Sequence, residues 1–113
     1  MIQFDTAIQD NILVLSLSGS LDAITYDEAT AHFNTLTNEG HSNLVLNLAK
    51  LEYVSSAGVR VLLGAIKNAR RTGGDLRLAD VSGQVFDTLE IAGITSIVKY
   101  YDGVDVAVAS YKN

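Results

Sequence analysis

Residues 51–63 read LEYVSSAGVRVLL. Two adjacent serines and a glycine stand between an apolar run and a segment rich in aliphatic residues. From Val59 onward, Leu62, Leu63, Ile66 and Ala69 recur at the i, i+3, i+4, i+7 spacing of a helix that buries one stripe. Upstream, Leu44–Leu48 (LVLNL) is nearly continuous in apolar character, as in a central strand covered on both faces. A strand, a loop through Tyr53 to the serines, and then a helix make half of a crossover unit, so the chain is expected to be α/β.

Working toward the N-terminus, Ile2–Ile8 alternate apolar and polar residues, and Ile12–Leu17 form a second apolar run after Asp10-Asn11. That arrangement predicts a hairpin, with Gly19 ending its second strand. In the stretch 20–40, Ala29, Phe33 and Leu36 lie at helical spacing. Thr25 is the expected N-cap, Glu28 would complete a capping box, and Asn38–Gly40 would stop the helix. Toward the C-terminus, Gly73-Gly74 stop the helix that follows the serines, and Leu76–Ala79 read as a strand. Ser82 begins a short helix through Ile91, which Gly93 stops. Ile97–Tyr101 read as a last strand and Val104–Tyr111 as a closing helix. The expected order is β-β-α-β-α-β-α-β-α. It gives a mixed, mostly parallel sheet with an N-terminal antiparallel hairpin at its edge and about four helices.

The composition narrows the function. With 113 residues the chain is expected to form one domain over residues 1–113. It has no cysteine and no proline, so neither a disulfide framework nor a thiolate metal site is available. A net charge of −5 speaks against nucleic acid, whose affinity rests on Lys and Arg, and points to a protein partner. The N-terminus lacks a signal-peptide pattern, and no stretch approaches a membrane span. A cytoplasmic location away from membranes is the expectation.

The serines lie at the carboxyl end of a strand, where sites of α/β sheets cluster. A helix start leaves several N–H groups unpaired beside a partial positive charge. Ser55 or Ser56 could serve simply as the N-cap, and the same donors would equally accommodate a phosphoryl group on one of them. Gly58 would allow a second chain to approach the first turn. Arg60, Gly64, Lys67 and Arg71 follow i, i+4, i+7, i+11 on the face away from the core, either as a solvated basic face or as a contact surface for an acidic protein. A mid-helix glycine such as Gly64 costs about 1 kcal/mol relative to alanine, which hints at close packing there. A nucleophilic serine would need a base. The two histidines, His32 and His41, fall within the first helix and in a loop, and neither belongs to a nucleophile-elbow or P-loop pattern. No intrinsic catalysis, cofactor or metal is expected.

Three stretches at the right intervals carry a family resemblance: LSLSGSLDAIT (15–25), LNLAKLEYVSSAGVRVLL (46–63) and GGDLRLADVS (73–82). Over essentially its whole length the chain resembles the STAS domains, specifically the free-standing bacterial anti-sigma factor antagonists. The resemblance implies a STAS fold and partner switching. The unmodified antagonist binds an anti-sigma factor that is a serine kinase, and so frees a sigma factor. Phosphorylation of a loop serine ends that binding, and a serine phosphatase reverses it. By position the acceptor is Ser56, two residues before Gly58. Asp22, from the GSLD segment, lies near it. Many antagonists carry an aspartate just before the acceptor, whereas this chain has Ser55, which makes Ser55 the alternative acceptor. The resemblance also implies a monomer when free. With these positions carried over from the resemblance, Asp22, Ser55 and Gly58 would shape the acceptor's pocket, and Arg60, Gly64 and Lys67 would contribute to docking. Two other readings compete: a constitutive STAS scaffold whose serines are only helix caps, and a small-ligand module, for instance for nucleotides, near the same loop.

Overall fold

The computed structural model describes residues 1–112; Asn113, counted above within the single domain, lies outside the described residues. Five strands, β1 (Ile2–Gln9), β2 (Ile12–Leu21), β3 (Asn43–Val54), β4 (Asp75–Ala79) and β5 (Tyr100–Tyr101), form one sheet in the order β1-β2-β3-β4-β5. The β1–β2 pair is antiparallel and the remaining pairs are parallel. Four helices complete the fold: α1 (Tyr26–Asn38), α2 (Ser56–Arg71), α3 (Gly83–Ile91) and α4 (Val104–Ala109).

The sheet separates two cores. On one face Leu15, Leu46 and Leu78 pack with Phe33 of α1, Leu62 and Ile66 of α2, and Leu89 of α3. On the other, Val14, Val45 and Ala79 meet Ala107 and Val108 of α4. The expected α/β class and N-terminal hairpin are as read from the sequence. Asp10 and Asn11 both adopt positive φ (52° and 68°), as a two-residue hairpin turn requires.

Several local expectations are corrected. Gly19 does not end β2. It sits within the strand at φ 95°, where a Cβ would collide with the Met1 carbonyl, so it marks a close backbone approach. The segment leading to Tyr53 is strand, not loop. Ser16 pairs with Asn47 and Ser18 with Lys50; Gly19 then pairs with Leu51 and Ser20 with Tyr53. β3 therefore gains an extra residue at each of two bulges. The buried residues fall at Leu48, Leu51 and Val54, every third position, which hides the strand period. The last strand shrinks to Tyr100–Tyr101 because Gly93, at φ 83°, leads into a 3-10 turn over Ile94–Ser96. Val98 then bonds back to the Ile94 carbonyl.

Thr25 is the N-cap residue of α1, but its hydroxyl makes no cap bond. It donates instead to the Ser20 carbonyl at 2.9 Å and accepts from the Asp22 N–H at 3.0 Å. Glu28 is exposed, and no capping box forms. α4 ends at Ala109 rather than Tyr111, because the Tyr111 side chain turns down onto the sheet. Its hydroxyl lies within donating distance of the carbonyls of Leu44 (2.7 Å) and Asp75 (2.8 Å). Burial, followed by the Asp75 charge, raises the phenol well above its ordinary value.

Asp75 ties this corner to α2. Its carboxylate accepts from Arg70 at 3.2 Å and from Arg77 at 3.1 Å. Burial alone would raise its pKa, but the bonds from Arg77, the Leu76 N–H and Arg70 outweigh that and hold it below 3.8. A lowered carboxylate pKa contributes stability above the unfolded value that is lost as pH falls through the folded one. Asp75→Asn is therefore expected to lower the urea midpoint at pH 7. The difference from wild type should shrink as pH falls below 3.8. Urea titrations at several pH values check both statements.

Candidate functional site

The carboxyl ends of β2 and β3 are level, with Leu21 opposite Val54. The Ser55 N–H donates to the Leu21 carbonyl at 3.0 Å, so the two strands stay joined up to the residues that leave them, Asp22 and Ser55. This juxtaposition brings together three of the residues picked out in the sequence: Asp22, Ser55 and Ser56.

The two serines have different tasks. Ser55 is the N-cap of α2, in extended conformation (φ −102°, ψ 179°), and its hydroxyl accepts from the Gly58 N–H at 3.3 Å. Ser56, the first helical residue, is exposed, and no protein hydrogen bond occupies its hydroxyl among the described residues. The first turn of α2 carries no acidic residue, so its partial positive charge is uncompensated, while Arg70 and Arg71 occupy the opposite end. Ser55→Ala is expected to destabilise the fold by about 1 kcal/mol through loss of the cap, and Ser56→Ala to change stability by less than about 0.5 kcal/mol. Chemical denaturation of the two variants separates these roles.

Asp22 is held by its own loop. Its Oδ1 accepts from the Ile24 N–H at 3.0 Å and the Thr25 N–H at 3.1 Å, with the Thr25 hydroxyl at 3.3 Å. The carboxylate thereby fixes the turn that enters α1.

Gly58 plays a different part from the one expected. It is buried, and a Cβ there would fall inside the shell of the Leu21 carbonyl oxygen and 2.7 Å from Val54 Cγ2. The close approach it permits is that of α2 to the chain's own β2 and β3, not that of a second chain. Gly64 is the reverse case. It is exposed, with nothing within 4 Å of a Cβ, so the fold itself gains no contact from its lack of a side chain. It forms a notch in a shallow groove of about 90 Å³ between α1 and α2, bordered by Thr30, Arg60 and Tyr26. The Arg60 guanidinium sits 6.0 Å from the Tyr26 ring centroid. Lys67 and Arg71 are exposed farther along the same helix.

Two residues missed in the sequence border this region. Ile91 is 88% exposed and, with Ser56, Val59 and Thr88, lines an apolar groove of about 240 Å³. Ile24, 89% exposed, lies in the turn that Asp22 fixes. Their signal was a break in phase. Val85 and Leu89 define the buried stripe of α3, which Ile91 leaves, and Ile24 precedes the first helical residue of α1. The histidines lie elsewhere: the His32 ring stacks on Phe4 at 4.1 Å between centroids, and His41 Nε2 is 3.8 Å from Glu39. No helix among the described residues is long and apolar enough to cross a membrane.

Comparison with known proteins places this geometry. Over 103 residues the chain is 31% identical to BtrV of Bordetella bronchiseptica, described as an anti-sigma factor antagonist, covering 91% of this chain and 89% of that one. A crystal structure described as that of an anti-sigma factor antagonist from Thermotoga maritima superposes with a TM-score of 0.91 at 22% identity, over 97% of this chain and 95% of the other. The Bacillus protein SpoIIAA in its phosphorylated form superposes with a TM-score of 0.74 at 19% identity, over 97% of this chain and 100% of the other. The STAS domain family model matches residues 3–107. A match over nearly the whole length, on a fold with the same sheet and hairpin, establishes that the chain belongs to the STAS domain family.

Proposed function

We propose that this chain is an anti-sigma factor antagonist that acts by partner switching, with Ser56 as its phosphoacceptor. The observation that carries the reading is the division of labour between the serines. Ser55 is engaged as the helix cap, and Ser56 presents a free, exposed hydroxyl at the start of α2. The unmodified protein binds a bacterial anti-sigma factor that is a serine kinase, in the cytoplasm, and so releases a sigma factor. The kinase transfers the γ-phosphoryl group of ATP to Ser56 Oγ, which loses its proton as ADP departs. A phosphoserine brings nearly two negative charges. The fold tolerates them because the first turn of α2 offers N–H donors and no carboxylate. The interface does not tolerate them, since Ser56 sits beside the apolar groove at Ile91, where an unpaired charge would be desolvated. A serine phosphatase restores the binding form. Asp22 and Ser55 hold the loops around the acceptor, while Arg60, the Gly64 notch and Lys67 extend the docking face along α2.

The competing reading is a scaffold whose serines only cap a helix. Immobilised Ser56→Ala and Ser56→Asp proteins, exposed side by side to lysate of the native organism, distinguish the two. Partner switching expects a kinase retained by the alanine variant and lost by the aspartate variant. Equal retention by both would instead favour the scaffold.

A further inference from the structure

We propose that the outer edge of β1 is a self-association surface, on which a second copy of this chain adds its own β1 in antiparallel register about Thr6. β1 lies at the margin of the sheet, so β2 takes up only half of its backbone groups. The bond from the Ser20 N–H to the Met1 carbonyl, 2.8 Å, shows which half. Continuing the register that sets Ile2 opposite Gly19, Met1 faces Ser20 as a hydrogen-bonded pair. Bonded and unbonded pairs alternate, so Gln3, Asp5, Ala7 and Gln9 bond inward to β2. Phe4, Thr6 and Ile8 present their N–H and C=O groups outward. The hairpin agrees, because a two-residue turn is closed by a hydrogen-bonded pair, here Gln9 and Ile12.

Sheet proteins ordinarily blunt such an edge with proline, lysine, a bulge or a covering element. Ile2–Gln9 contains no proline, lysine or arginine, its one charged residue is Asp5, and its pairing with β2 runs without a bulge. The opposite margin of the sheet, by contrast, is the two-residue β5. A large apolar side chain is also left over on the β1 edge: Ile8 is 60% exposed.

Self-complementarity selects the occupant. A twofold axis perpendicular to the sheet pairs residues whose side chains share a face. Centring it on Asp5 sets Asp5 against its own copy, and like charges directly opposite each other are destabilising. Centring it on Phe4 leaves Ile8 outside the ladder. Centring it on Thr6 places Ile8 opposite Phe4, whose ring is already fixed by stacking on His32. Asp5 then faces Ala7, Gln3 faces Gln9, and the outward groups of Phe4, Thr6 and Ile8 are all paired. A single strand pair makes a small interface, so the monomer implied by the family resemblance prevails when dilute and the dimer grows with concentration.

Sedimentation equilibrium on the full chain, from about 10 μM to about 1 mM, tests the association, a range that brackets weak dimers. Wild type is expected to shift toward dimer across that range. Thr6→Pro is expected to remain monomeric, since the lost N–H points away from β2 and bonds nothing among the described residues. Should Thr6→Pro fail to fold, Thr6→Lys sets two like charges across the axis and is expected to give the same result. Because the chain has no cysteine, the register can be read by cross-linking. Two Thr6→Cys copies would lie about 5.5 Å apart between Cα atoms, within disulfide reach. Two Asp5→Cys copies would sit diagonally at about 7–8 Å, beyond easy reach. Air oxidation is expected to link Thr6→Cys at least about tenfold faster than Asp5→Cys. A wild-type monomer throughout the range, or equal cross-linking of the two variants, would overturn the proposal. Neither result bears on Ser56, which is not part of this edge.

Discussion

Ser56→Asp is expected to weaken binding of the anti-sigma factor kinase at least about a hundredfold, close to 3 kcal/mol, while Ser56→Ala stays within a few-fold of wild type. The asymmetry follows from where the side chain sits. Ser56 is exposed in the free protein and its hydroxyl has no hydrogen-bond partner among the described residues, so removing it costs the fold little. A carboxylate at the same place meets the open N–H groups of α2, so the free protein is expected to be unharmed or slightly stabilised, by about 0.5 kcal/mol. In the complex, the charge would be buried against the apolar margin formed with Val59 and Ile91, and desolvation then dominates. Titration calorimetry with the captured kinase measures both variants. An aspartate variant that binds like wild type would show that charge at this position is not the switch.

The second large effect concerns the fold beneath the site. Gly58→Ala is expected to destabilise the protein by about 2 kcal/mol or more, despite alanine's better helix propensity of about 1 kcal/mol. The added methyl would fall inside the shell of the Leu21 carbonyl and 2.7 Å from Val54 Cγ2. Neither neighbour is a flexible side-chain end, so α2 has to move away from the strands. Gly64→Ala is the control with the opposite sign. It meets nothing within 4 Å and is expected to stabilise the helix by about 0.5–1 kcal/mol. If the notch receives a partner side chain, the same substitution weakens kinase binding as it strengthens the fold. Urea midpoints of the two variants, with binding measured on Gly64→Ala, separate a glycine kept for folding from one kept for docking. Equal destabilisation by both would contradict this assignment.

These two glycines also show what was legible in the sequence. The apolar stripe of α2, the apolar run of β3 and the turn at Asp10-Asn11 depend on spacing within a few residues. They led to the α/β class, the hairpin and the position of the serines. What escaped notice depends on neighbours distant in the chain. Whether a helical glycine faces a carbonyl or solvent is decided by what packs on it, and Leu21 is far from Gly58 in sequence. The second half of β3 looked like a loop because two bulges change its buried period from two to three. Thr25 looked like a capping threonine, but its hydroxyl is claimed by Ser20 and Asp22 across the turn. At the site itself, the sequence supplied the pair of serines but not their division of labour, which rests on one bond from the Gly58 N–H. The exposed Ile24 and Ile91 were visible only as residues out of phase with their helices.

Mapping phosphate on the protein isolated from its native cells shows whether Ser56 is the switch. Trypsin releases both serines within the peptide Leu51–Arg60, and fragmentation between Ser55 and Ser56 assigns the modified residue. A single phosphoryl group is expected on Ser56, with Ser55 unmodified, in a fraction of molecules that no longer retains the kinase. Phosphate on Ser55 alone, or none under any growth condition while the kinase is bound and released, would contradict that role for Ser56.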